Sequence, residues 1–243
     1  MSQKETFALL ETILYEPFKG FYLLDQHIHR LLKAAIDFHT NDTSQFKIIP
    51  SFDQIKNFVE EKVPQDTNTF KRVRLLYNDS NEGLKVEYTD LGSDYKSNET
   101  LTEALLSKET LLTVILDTEA IPCSVTDPFI LHKTTQRQIY NDARKRTQCG
   151  EKTFDVILWN KHHQITESSI ANIAIQTDKG KWITPSLQCG LLPGVFRDKL
   201  LSSDENIIEG VITMDDLINA QKNGDPIVCF NSVRKIYRVQ LLL

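Results

Sequence analysis

Three segments of this 243-residue chain carry residue types that could do chemistry together. The first is LHKTT, residues 131–135, with Lys133 at its centre. A lysine that forms an imine with a carbonyl must lose its proton easily, and burial or nearby positive charge achieves that. A solvated surface lysine would look the same in sequence. The second is ITESSIANIAIQ, where Glu167 precedes alternating Ile170, Ile173 and Ile175. Facing a polar pocket, it could pair with a protonated ring nitrogen; otherwise it is a charge at a strand edge. The third is LLPGVFRDKLL, where the Pro193-Gly194 turn feeds a helix. Backbone N–H groups and the helix dipole make such a start a phosphate site, though an ordinary loop-to-helix junction reads alike. Asn231-Ser232, after IVCF, could add a hydroxyl and an N–H to the same phosphate.

Arg30 is a further candidate. At 100° per residue it points nearly opposite Ile28, away from the apolar face of its helix. That face is solvated unless it borders a cleft, where a guanidinium fork suits phosphate. His162-His163 sits in a turn without neighbouring Cys or Asp, so no metal site is expected. There is no GxSxG, GxGxxG or P-loop.

The elements that must position these residues follow from periodicity. Phe7, Leu9, Leu10, Ile13 and Leu14 predict a buried strand, and the turn Glu16–Gly20 leads to a second apolar run, FYLL, as a hairpin. DQHIHRLLKAAIDF predicts a helix capped by Asp25. Ser51 and Gln54 form a capping box for a second helix. FKRVRLLY and LKVEYTDL predict a hairpin, and Lys108–Leu116 a strand closing the first half. The turn-rich stretch 118–129 reads as a linker between domains at 1–117 and 130–243. Lys133 then opens a helix over 134–147. Strands follow at FDVILWN, SIANIAIQ and KWITP, with a turn at Asp178-Lys179-Gly180. Thr213 with Asp216 caps another helix, and IVCF is a last buried strand. The sum is an α+β chain of two domains.

Composition excludes several classes. Hydrophobic residues make up 40% and charged residues 25%, an ordinary globular balance, and the formal net charge of -5 leaves no basic field for nucleic acid. The N-terminus has no basic region followed by an unbroken apolar one, and no segment is apolar enough to span a membrane. The four cysteines, Cys123, Cys149, Cys189 and Cys229, lie far apart and read as buried free thiols in a reducing, cytoplasmic setting.

Taken in order, HIHRLLKAA, HKTTQRQIYNDA, FDVILWNKHHQITESSIANIAI, TPSLQCGLLPGVFRDKLL, GVITMDDL and FNSVRKIYRV resemble the class IV aminotransferase family, the fold-type-IV pyridoxal-phosphate enzymes. The resemblance spans nearly the whole chain and implies the cofactor pyridoxal 5'-phosphate. It implies that Lys133 is the Schiff-base lysine and Glu167 the partner of the pyridine nitrogen. Arg30 resembles the phosphate-binding arginine, and Leu192 the residue packed against the cofactor ring. Val195 and Phe196 match the backbone phosphate cup, and Ser232 the late phosphate hydroxyl. Thr12 and Arg74 match substrate-side positions, Arg74 one that can meet a carboxylate.

Within the family the chain is most similar to the aminodeoxychorismate lyases, including lyase domains fused behind a synthase. FALLETILYEPFKGFYLLDQHIHRL, HKTT, CGLLPGVFR and FNSVR carry that likeness. Most stand-alone members have a further segment before the ETI-like strand, and some transaminases place an arginine where Leu14 stands; both differences point away from transamination. The resemblance implies an amine substrate, 4-amino-4-deoxychorismate, cleaved to p-aminobenzoate and pyruvate for folate synthesis. The alternatives are a transaminase for branched-chain or D-amino acids and a non-catalytic binding protein of the same fold. It also implies a homodimer.

Overall fold

Strand β1 (Leu9–Glu16) is buried along nearly its whole length. Apolar residues there point to both faces of the strand, so it needs cover on both sides. The computed structural model describes residues 7–65, 68–79, 83–122, 126–177 and 180–243. They divide into two compact units. One holds the described residues up to Lys96 together with His132–Gln136, and the other holds Ser97–Leu131 and Arg137–Leu243.

In the first unit β1 turns back into β2 (Gly20–Phe21) and continues into helix α1 (Leu24–Asn41). Asp25 does not cap α1. The N-cap is Leu23, in the left-handed region at φ 55, which leaves Asp25 in the first turn, where its charge suits the helix dipole. The Ser51–Gln54 capping box is present at the start of α2 (Phe52–Lys62). Strands β3 (Phe70–Tyr77) and β4 (Leu84–Gly92) complete an antiparallel sheet of order β2-β1-β3-β4. Ile28, Leu31 and Ala35 of α1 are fully or almost fully buried, as their spacing predicts.

The second unit opens with α3 (Leu101–Leu106) and β5 (Leu112–Leu116). Short helix α4 (Pro128–Leu131) and α5 (Gln138–Arg146) follow. Then come β6 (Asp155–Trp159), β7 (Ile165–Ser168), β8 (Asn172–Gln176) and β9 (Trp182–Pro185). After a 3-10 turn at Leu187–Cys189 come α6 (Val195–Ser203), β10 (Ile207–Gly210), α7 (Met214–Asn223), β11 (Ile227–Asn231) and β12 (Lys235–Leu242). The strands form a mixed sheet of order β10-β9-β8-β11-β12-β5-β6-β7. One face packs Ile157, Ile173, Cys229 and Val239 with Leu217 and Ala220 of α7. Elsewhere Tyr140 and Ala143 of α5 pack with Val156 and Leu158 of β6.

Two expectations change. Strand β5 does not close the first half: it runs parallel between β12 and β6 in the second sheet. The boundary therefore falls after Lys96 rather than near residue 117, and His132–Gln136 return to the first unit because their backbone pairs with β1. Ser169–Ala171 form a bend between β7 and β8, so the predicted strand SIANIAIQ begins only at Asn172. Cys189 and Cys229 are buried free thiols and Cys149 is half-buried. Cys123 and the turn residues Asp178 and Lys179 lie outside the described residues. Among the described residues no helix is long and apolar enough to cross a membrane, and no His, Cys, Asp or Glu cluster could hold a metal ion.

Candidate active site

Lys133 does not open a helix. It lies in a short extended segment laid along β1, and α5 begins only at Gln138. The Lys133 carbonyl accepts from Leu10 N–H at 2.9 Å, and Thr135 N–H donates to the Ala8 carbonyl at 2.9 Å. Ala8 N–H in turn donates to Thr135 Oγ1 at 2.9 Å. Pairing with a strand consumes the backbone groups that a first helical turn would use. Buried His132 adds an anchor, its Nε2 lying 3.2 Å from Asp37 and its ring beside Phe38. The lysine's backbone is thus held from both sides, while its side chain is half-buried.

Arg30 does not lie on a solvated face. Its side chain is 14% exposed and forks onto Glu11, with Nε 2.8 Å from Oε1 and Nη2 2.6 Å from Oε2. In β1, Glu11 alternates onto the same side as Ile13, and His27 and Arg30, three apart on α1, fall on one helix face. Buried His27 donates from Nδ1 to Glu11 Oε2 at 2.6 Å. Burial pushes the Glu11 carboxyl up, but the Arg30 charge and the His27 contact outweigh it and hold the pKa at about 2. Burial pulls His27 below its ordinary value against the raising effect of Glu11, and the charges of Arg30 and Lys133 lower it further. Lys133 therefore stands within electrostatic reach of this cluster.

Thr12 and Arg74 are brought together as direct partners across β1 and β3. Arg74 is also the register partner of Glu87 on β4, their charged atoms 3.7 Å apart. The three form a cross-strand row.

The second unit builds a different constellation. Glu167, buried in β7, accepts hydrogen bonds from neutral groups. Tyr140 Oη donates to Oε1 at 2.7 Å, Leu192 N–H to Oε1 at 3.1 Å, and Asn172 Nδ2 to Oε2 at 3.3 Å. Asn172 also donates to the Leu192 carbonyl at 3.1 Å, locking that loop to the carboxylate. Arg137 stacks over the Tyr140 ring and donates to the Ser169 carbonyl.

The same loop runs into α6 through Gly194. A Cβ there would stand 2.1 Å from Asn172 Oδ1, so glycine is required for close approach. Gly194 supplies no side-chain cap, and the helical ladder starts with Asp198 N–H donating to Gly194 C=O at 3.0 Å. The N–H groups of Val195 and Phe196 stand outside that ladder. The Phe196 ring lies 6.3 Å from that of Phe230, two residues before buried Ser232. Asn231 shapes the Ser232 loop by accepting from Val233 N–H at 3.0 Å and Arg234 N–H at 2.8 Å. Glu167, Leu192, Val195, Phe196 and Ser232 are therefore linked within one unit, and Lys133, Arg30, Thr12 and Arg74 share the other. Sequence reasoning missed Tyr140, Asn172, Glu11 and His27. Of these Glu11 had a signal, a carboxylate inside the apolar run LLETILY.

Comparison with known proteins gives the family of the chain. The family model for amino-transferase class IV matches residues 8–242. A Schizosaccharomyces pombe protein named "Putative aminodeoxychorismate lyase" is 32% identical over 239 residues, 97% of this chain and 90% of that one. Among solved structures, a Mesorhizobium loti protein described as a "Putative amino-acid aminotransferase" superposes with a TM-score of 0.75 at 24% identity, covering 97% of this chain and 100% of that one. A Legionella pneumophila "Putative 4-amino-4-deoxychorismate lyase" gives 0.68 at 16% identity, covering 96% and 82%. At these identities the two structures show the fold. The chain belongs to the class IV aminotransferase family, whose members are pyridoxal-phosphate-dependent enzymes.

Proposed function

We propose that this chain is a lyase that converts 4-amino-4-deoxychorismate to p-aminobenzoate and pyruvate in folate synthesis. The observation that carries the reading is the 32% identity, over 97% of the chain, to the fission-yeast protein named for that activity. Leu14 supports it: it is fully buried and brings no charge to the position where some transaminases of the family carry an arginine.

The residues present fit pyridoxal phosphate. A buried carboxylate oriented by neutral donors suits a cationic partner, which a protonated pyridine nitrogen would be. A helix start without a side-chain cap, with a buried serine hydroxyl, suits a phosphate. Lys133, Arg30, Glu167, Leu192, Val195, Phe196 and Ser232 are the residues that would hold the group. When bound, it supplies an electron sink at the amine-bearing carbon of the substrate.

The chain's own residues then divide the work. Lys133 Nζ takes the proton from the amine-bearing carbon. The bond from the ring to the enolpyruvyl oxygen breaks, the ring becomes aromatic, and the departing enol takes up a proton to become pyruvate. Glu167 holds the proton on the pyridine nitrogen. Arg74 and Thr12, side by side on the first sheet, bind substrate, Arg74 at a carboxylate. No amino-group acceptor enters this balance. We further propose that the working form is a homodimer, which sedimentation of the purified protein tests.

Purified protein, loaded with pyridoxal phosphate and mixed with aminodeoxychorismate but no keto acid, should release p-aminobenzoate and pyruvate in equal amounts. Amino transfer to a keto acid without p-aminobenzoate would make the chain a transaminase instead. Lys133→Ala should abolish the visible absorbance of the lysine-bound cofactor; an unchanged spectrum removes Lys133 from the site.

A further inference from the structure

The Glu11–His27–Arg30 cluster takes a carboxylate and its partners out of water. Removing ions from water is expensive, and a buried ion pair can often be replaced by apolar residues of similar volume without loss of stability. Glu11 and His27 are each only 1% exposed. Glu11 spends both carboxylate oxygens on Arg30, and Oε2 also accepts from His27. With three donors on two oxygens the carboxylate cannot swing, and a bidentate contact fixes the plane of the guanidinium as well as its position. Among the described residues His27 Nε2 is buried without a hydrogen-bond partner, so this ring serves the cluster through Nδ1. The charge of Lys133 is felt at His27, which ties the cluster to the neighbourhood of the candidate catalytic lysine.

We propose that Glu11 is a positioning residue for Arg30: it fixes the guanidinium that binds the cofactor phosphate, so that affinity for the phosphate group, rather than for the pyridine ring, depends on Glu11. This rests on the reading of Arg30 and Lys133 given above. His27 restrains Glu11 in turn, so the dependence passes from α1 to β1 and back to α1.

The test compares two ligands on the full chain. Pyridoxal lacks the phosphate but carries the same aldehyde and ring. Dissociation constants for both are read from visible absorbance titrations of the wild type, Glu11→Gln, Arg30→Ala and the double variant. In Glu11→Gln, pyridoxal phosphate should bind about 10–100-fold more weakly, the scale of a lost hydrogen bond to a charged group. Pyridoxal should change less than about threefold on the same scale. Arg30→Ala should show the same selective loss, and the double variant should be no worse than Arg30→Ala. Equal weakening of both ligands, or of neither, overturns the proposal, as does a double variant whose losses add. If Glu11→Gln does not fold, Glu11→Asp, which keeps the charge and withdraws the carboxylate by one methylene, is read by the same ratio. A wild type without a Lys133-dependent absorbance band overturns the functional reading itself and this proposal with it. A normal band with an unchanged ratio in the Glu11 variants overturns this proposal alone.

Discussion

Each unit of the molecule holds a buried glutamate among its candidate site residues, Glu11 in the first and Glu167 in the second, and the two are stabilised by different means. Glu11 sits against a guanidinium and a histidine, so its charge is largely matched inside the protein. Glu167 receives a tyrosine hydroxyl, a side-chain amide and a backbone N–H, neutral donors that orient the carboxylate. The first arrangement spends its electrostatics on holding Arg30 and His27 in place. The second orients a carboxylate with neutral donors, as the proposed pairing with a cofactor ring nitrogen requires. Losing Glu11 should therefore be felt first as stability, and losing Glu167 first as chemistry.

The largest expected effect tests the first half of that statement. Glu11→Ala strands Arg30 beside a cavity and should lower unfolding free energy by about 3–5 kcal/mol, the cost of breaking a buried pair. Urea unfolding measures it, and a loss below about 1 kcal/mol, the scale of a surface pair, would show that the cluster is solvated. Next comes Glu167→Gln, which keeps the shape and removes the charge. Turnover should fall about 10²–10³-fold, on the order of 3–4 kcal/mol of transition-state stabilisation, with stability changed by less than the Glu11 variant. If Glu167→Gln instead unfolds the protein while retaining turnover per folded molecule, the two carboxylates have exchanged roles.

Gly194→Ala probes the loop that joins Glu167 to the helix start. The new Cβ must displace Asn172, whose Oδ1 stands 2.1 Å from its position. Overpacking of this kind costs about 1–3 kcal/mol. Because Asn172 also holds Glu167 and Leu192, cofactor affinity should fall in step with stability. Normal affinity in a folded Gly194→Ala protein would show that the Asn172 bridge does not orient the site.

These contrasts were unequally legible in the sequence. Strands and capped helices followed from local patterns, because alternation and the Ser51–Gln54 and Thr213–Asp216 boxes are decided within a few residues. The glycine-led start of α6 was legible for the same reason. The place of β5 was not, since pairing with β12 joins residues more than a hundred positions apart. Nor was the extended course of His132–Gln136, whose partner is β1 at the other end of the described chain. Arg30 shows the limit of helical geometry. Its angle from Ile28 was right, but a helix lying on a sheet has flanks, and only the strand shows that Glu11 waits on one. Tyr140 and Asn172 left no local trace, because their importance lies in meeting Glu167 across 27 and 5 residues of chain.

The smallest effect concerns acid. The Glu11 carboxyl is held at about 2 in the folded chain, against an ordinary value of 4.5. A depressed carboxylate contributes stability in full above the unfolded value and loses it as pH falls through the folded one. His27 acts in the same direction. Its folded value is lowered from 6.5, so below that value the unfolded chain takes up a proton that the folded chain resists, and unfolding gains. Most of the Glu11 contribution disappears between pH 4.5 and 2, and about 1 kcal/mol of it is already gone by pH 4. Replacing Glu11 by Gln together with His27 by Asn removes both titrations. That variant is less stable at pH 7, but from pH 6 to 4 it should lose at least about 1 kcal/mol less than the wild type. Urea melts at the two pH values provide the comparison. Parallel losses would mean that the acid sensitivity of the chain lies outside the cluster, and that the matched charges of the first unit are not what links its stability to protons.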